Sequence, residues 1–340
     1  MIAVNVVKYQ RLTHRDCCEI TLTNNNGGTV TILNYGATLE KFIVPDHQGK
    51  LINMVLSLPK ASYYSKERNF LGGTVGRIIG RMSDGKWISG KNSYQFNNND
   101  GKNHAHGGVE GFDTQVFDFK IVQKEKSASV VLTLFDYAGH NGYPGNVKVQ
   151  VTYTFTEENT LIYQISAITD DITLFNPGNH SYFNLDGKGR ILNQNLLIDA
   201  SRYLPLNNNS IPDMGYMSVE DTVFDFRSGK LIKSAIASQD KQIIKKNGLN
   251  HPFLLDGHNV AAILISSDEQ RRMLMKTTAP SIVVYTANHF NHSGYANNIG
   301  QYDGVALEAQ LPPTDDPMLQ SITLLPGERF ESETSWHMDY

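Results

Sequence analysis

The chain has 340 residues, 40% of them hydrophobic and 19% charged, with 28 Gly, 12 Pro and a formal net charge of −4. That balance excludes a disordered chain, and without a basic field there is nothing to draw in nucleic acid or an anionic membrane. Its two cysteines, the adjacent Cys17 and Cys18, cannot build a disulfide framework, so a reducing compartment and a small neutral partner are expected.

The N-terminus, Met1 to Lys8, lacks the basic region followed by an apolar one that marks an export signal. No uninterrupted apolar stretch approaches the roughly 18 residues of a membrane span. The expectation is a soluble cytoplasmic protein. Runs rich in Val, Ile, Thr, Tyr and Phe begin at 29–33, 41–44 and 51–56, bounded by turn residues such as Asn24-Asn25-Asn26-Gly27-Gly28, and are predicted as strands. The stretch Gly72-Gly73-Thr-Val-Gly76-Arg77-Ile-Ile-Gly80-Arg81 is glycine-rich but lacks the Gly-Lys-Ser/Thr ending and the helical context of a nucleotide loop. An arginine carried on such a turn can serve as a forked donor to a ligand oxygen, or simply form a surface ion pair.

Next comes Asn103-His104-Ala105-His106-Gly107-Gly108. In an extended chain the two histidines project to one side, and with Glu110 they spell part of a cupin-like metal motif. The glycines that motif expects are missing, so the Gly pair reads better as a sharp turn or a close approach to ligand. Further strands are predicted at 117–122, 129–135, 146–155 and 161–168.

The segment from Asn176 to Leu185 is read as a strand whose alternation puts His180, Tyr182 and Asn184 on one face and Ser181, Phe183 and Leu185 on the other. Imidazole, phenol and amide together suit a sugar, with its hydroxyls and its C–H surface. The plainer alternative is a structural histidine on a solvated sheet face. Beyond a strand at 195–198, the segments Asp221–Arg227 and Gly248–Phe253 read as polar–aromatic turns, and 230–238 is a predicted short helix after Ser228-Gly229. Strands at 260–265, 281–286, 304–310 and 321–325 follow. In the third of these Glu308 is a lone carboxylate among apolar neighbours, a setting that raises its pKa and strengthens it as a base unless it faces water. Many short strands with few helices, and no repeat or linker, indicate one all-β domain spanning 1–340, a sandwich or a barrel.

Taken in order, these pieces resemble the galactose mutarotase (aldose 1-epimerase) family. The resemblance rests on Gly80-Arg81-Met82, His106-Gly107-Gly108, Asn179-His180-Ser181-Tyr182-Phe183-Asn184-Leu185, Phe224-Asp225-Phe226-Arg227, Gly248-Leu249-Asn250-His251 and Leu307-Glu308-Ala309-Gln310. It runs from about Thr29 to the C-terminal region and implies a large antiparallel β-sandwich. It also implies Glu308 as catalytic base and His180 as acid, with Arg81, His106 and Asn250 at substrate-binding positions and no cofactor or metal. Phe224 to Arg227 matches a framework segment. Three positions depart from the family pattern: Gly80 stands where many members have Asn, Asn250 where the family usually has Asp, and Val283 where some present Gln.

The expected reaction interconverts the α and β anomers of a free aldose such as galactose or glucose, with base and acid on opposite flanks of the pyranose and the carboxylate raising the pKa of the histidine. The expected partner is a small sugar, and the chain itself a monomer or homodimer. Competing readings are a sugar-binding homologue without turnover, a hexose-phosphate epimerase of the same superfamily, and a cupin-like metal enzyme.

Overall fold

The structure, a computed structural model, describes residues 1–12, 14–46, 48–212, 214–314 and 319–339. Among them the strands form three large sheets, and every pairing within these sheets is antiparallel. The first is an N-terminal meander of Ala3–Leu12, Arg15–Thr23, Thr29–Leu33, Thr38–Pro45 and Leu51–Asn53. The second has nine strands, with Val147–Thr156 and Thr160–Thr169 near its centre and the C-terminal Arg329–Asp339 paired directly to Thr160–Thr169. The third has six strands in the order Tyr182–Phe183, Val305–Gln310, Ser281–Tyr285, Asn250–Leu254, Arg202–Tyr203 and Met217–Ser218. The all-β, antiparallel sandwich expected from the sequence is what the chain forms.

The core follows the period-two pattern. Along Val147–Thr156 every second residue is buried, which sends Val149, Val151, Tyr153 and Phe155 inward. They meet Ile20, Leu22, Val30 and Phe42 of the first sheet, with Phe42 and Phe155 edge to face at 6.0 Å between ring centres. Most of the predicted strands are present, shifted by a residue or two at their ends. The 51–56 run forms a strand only over Leu51–Asn53, with a single further bridge from Val55 to Phe183, and the segment around 321–325 is a 3₁₀ turn, Gln320–Ile322, followed by the short strand Thr323–Leu324.

Three differences matter more. The helix expected at 230–238 shortens to Ile232–Ile236, and a second, unexpected helix spans Lys241–Lys246. The latter starts where the Asp240 side chain accepts the Gln242 N–H at 2.8 Å and stops at Asn247, whose φ is +53°. Asn250–Leu254, read as a turn, is a strand between Ser281–Tyr285 and Arg202–Tyr203. The 176–185 segment is two two-residue strands, Gly178–Asn179 and Tyr182–Phe183, with His180 and Ser181 between them.

Candidate active site

A cavity of about 410 Å³ opens at the six-stranded sheet and is lined by Arg81, His106, His180, Asn250 and Glu308 together. The five residues named from the sequence therefore share one pocket. Strand pairing explains the central pair. Tyr182 pairs with Ala306 and Phe183 with Val305, which brings the chain just before Tyr182 alongside the strand that carries Glu308. Their side chains meet, with His180 Nε2 and Glu308 Oε1 3.3 Å apart and each residue 4% exposed. The two groups stand side by side rather than on opposite flanks of the space.

The backbone around His180 is fixed by the glycine-rich stretch. The His180 N–H donates to the Gly73 carbonyl at 2.9 Å, and the Gly72 N–H donates to the His180 carbonyl at 3.0 Å. Gly72 has φ +66°, and a Cβ there would lie 2.0 Å from the Leu39 carbonyl oxygen, so only glycine fits where the clamp lies against Leu39. This glycine pair is a clamp on the histidine. Arg81 and His106 come from a second small ladder, in which Arg81 pairs with Ala105. Arg81 Nε donates to Asp100 Oδ2 at 2.6 Å, the one hydrogen bond of its side chain among the described residues.

His104 and His106 do not share a side. His106 has φ +49° and is followed by Gly107 and Gly108 at +75° and +91°, so the extended run ends at Ala105 and the second imidazole swings into the cavity. His104 stays behind in a structural niche, donating from Nδ1 to the Asn97 carbonyl at 2.8 Å and accepting the Tyr143 hydroxyl at Nε2 at 2.7 Å. Among the described residues no three His, Cys, Asp or Glu side chains are placed to hold a metal ion. The cupin-like spacing is a feature of the sequence that the backbone separates. His106 Nδ1 accepts the Gly80 N–H at 3.3 Å, and with burial holding its pKa well down the ring is neutral, so its one proton sits on Nε2 as a donor.

Burial dominates the protonation of the central pair. It raises the Glu308 carboxyl to about 8 against the pull of Arg81, and it lowers the His180 imidazole to about 4. The expected rise at His180 does not occur, because a fully enclosed ring loses more hydration than its own backbone carbonyl returns. His180 Nδ1 has no hydrogen-bond partner.

Tyr182, read from the sequence as sharing the face of His180, packs against it at 5.0 Å. Other wall residues were not named from the sequence: Phe70 stacks on His180 at 6.0 Å and lies tilted against His106 at 4.7 Å, and Tyr285 lies 6.5 Å from His180. Gln310, two residues beyond Glu308, also lines the cavity, and alternation along the strand was the signal that places it there. Asn184, expected to share the face of His180, instead bonds the Gly189 and Asp303 carbonyls, both at 2.7 Å. Asn250 lies half-buried on the wall beside Tyr285, its strand partner, and Val283 is paired to Glu308. Phe224 stacks on Tyr203 at 4.1 Å away from the cavity, a framework position.

Comparison with known proteins agrees with this architecture. The aldose 1-epimerase family model matches residues 19–337. An aldose 1-epimerase of Escherichia coli is 33% identical over 329 residues, covering 93% of this chain and 94% of that protein. A galactose mutarotase of Bos taurus is 30% identical over 317 residues, 90% of each. The crystal structure of a galactose 1-epimerase from Lactobacillus acidophilus superposes with a TM-score of 0.95 at 49% identity, over 100% of this chain and 99% of that one. The chain belongs to the aldose 1-epimerase family of isomerases.

Proposed function

We propose that this chain interconverts the α and β anomers of a free aldose such as galactose or glucose, with Glu308 as base and His180 as acid. The observation that carries the reading is the 3.3 Å contact between His180 Nε2 and Glu308 Oε1 in the wall of one pocket. Opening a cyclic hemiacetal moves two protons at one carbon. Glu308 takes the proton of the O1 hydroxyl as C1=O1 forms. The C1–O5 bond breaks and O5 takes a proton from His180. Rotation about C1–C2 turns the other face of the aldehyde to O5, and reclosure returns both protons. O1 and O5 are both bonded to C1, so base and acid must be neighbours, as these two are.

Between about 4 and about 8 the pair carries one proton in total. The carboxylate–imidazolium form of that state is the one that reacts. Arg81 favours the carboxylate of that form while opposing its imidazolium. His106 Nε2–H and the terminal N–H groups of Arg81 are placed to hold oxygens of the sugar and to stabilise charge as it develops near the ring oxygen. Asn250 supplies a neutral amide, which binds a hydroxyl about half as strongly as a charged group would. No redox partner enters this balance.

Polarimetry on freshly dissolved α-anomers of galactose, glucose and xylose tests the reading. The wild-type protein is expected to speed mutarotation of at least one. Glu308→Gln is expected to lose on the order of 10²–10⁴-fold in kcat while still folding and binding sugar. Near-normal turnover by that variant overturns the base assignment.

A further inference from the structure

Gln310 is a cavity side chain for which neither the fold nor the proton relay provides a partner. It is 2% exposed, yet neither its Oε1 nor its Nε2 has a hydrogen-bond partner among the described residues. The surrounding chain shows why. Gln310 follows Glu308 by two residues on Val305–Gln310 and so shares its face. No hydrogen-bonding group on a neighbouring segment reaches its amide among the described residues. A Cβ built at Gly80 would lie 3.6 Å from Gln310 Oε1, so the glycine leaves open the space from which a polar side chain would cap the amide. Native folds rarely leave both ends of a buried amide unpaired unless something else supplies the bonds.

We infer that Gln310 is a substrate-binding and specificity residue whose amide holds a hydroxyl of the sugar at the cavity wall beside Gly80. An amide offers one donor face and one acceptor face, and a hydroxyl has both roles to match. Being neutral, it favours an uncharged polyol over a phosphate or a carboxylate. The inference rests on the anomer-interconversion reading for its class of ligand.

Initial-rate polarimetry on wild type and Gln310→Met, with galactose and its monodeoxy derivatives, separates the inference from that reading. Methionine keeps the length of the side chain and removes its polarity. On galactose the variant is expected to lose about ten-fold or more in kcat/KM. On the one deoxy sugar that lacks the hydroxyl held by Gln310, wild type and variant are expected to react alike. An equal loss on every sugar, as from a purely structural role, or no loss on any, overturns the inference while leaving the anomerase reading intact. An inactive wild type overturns the anomerase reading. In that case, or if the variant does not fold, a crystal structure of the wild-type protein soaked in galactose decides. A Gln310 amide within hydrogen-bond distance of a sugar hydroxyl supports the inference, whereas an amide that contacts no sugar, or a cavity that takes none up, overturns it.

Discussion

At the scale of single residues, the same enclosure acts on Glu308 and His180 in opposite directions. Both lose hydration; the acid is driven toward its protonated form and the imidazole toward its deprotonated form, at about 8 and about 4. As pH falls through about 4 the pair gains a second proton and the base is lost; as pH rises through about 8 it gives up its proton and the acid is lost. The pH profile of kcat/KM is therefore expected to be bell-shaped, flat between limbs near those values. A profile falling through the ordinary histidine value near 6.5 would show that burial does not govern the pair. The lone carboxylate among Leu307, Ala306 and Ala309 was legible in the sequence, because a single charge in an apolar strand has few places to go. The proton levels were not, since they depend on Phe70 and Arg81, which the chain brings in from distant positions. The parting of His104 from His106 was hidden for a related reason: a positive φ at a non-glycine residue breaks an alternation that letters alone continue.

At the scale of elements, the loop that carries His106 is held by Arg68. Its guanidinium donates to both carboxylate oxygens of Asp113 at 2.6 and 2.7 Å and to the His106 carbonyl at 2.7 Å, and it also bonds the Gly108 carbonyl. It lies 4.6 Å from the centre of the Phe70 ring, which packs against the imidazoles of both His106 and His180. Arg68 is thus a positioning residue. Arg68→Met is expected to leave the Asp113 charge buried and unpaired, at a stability cost of about 3–5 kcal/mol, and to raise KM about ten-fold. Adding Asp113→Asn should recover much of the stability in thermal melts but not the KM. Recovery of both would reduce Arg68 to a structural role. Strands at this scale were legible where their inward faces are continuously apolar, as in Val147–Thr156. Arg15–Thr23, Arg272–Thr277 and Arg329–Asp339 were missed because charged and hydroxyl residues interrupt them, and pairing with neighbouring strands, rather than their own pattern, completes them.

Across the whole molecule, residues far apart in sequence meet at one pocket. The six-stranded sheet supplies Glu308, Gln310, Asn250 and Tyr285, the Arg81–Ala105 ladder supplies Arg81 and His106, and the Gly72–Gly73 clamp presents His180. The N-terminal and nine-stranded sheets pack a common core behind them, so the site rests on rigid strands rather than on free loops. The presence of such a pocket could be argued from motifs in the right order. Its arrangement could not, because the meeting of His180 with Glu308 is a matter of pairing between strands more than 100 residues apart.

Under the proposed reaction, Glu308 and His180 act as one unit on a single carbon of the sugar. Mutarotation rates of wild type, Glu308→Gln, His180→Asn and the double variant test it most directly. Each single variant is expected to lose on the order of 10²–10⁴-fold, and the double variant to fall little further, since either loss already disables the unit. Losses that multiply in the double variant would show two independent groups and contradict the account.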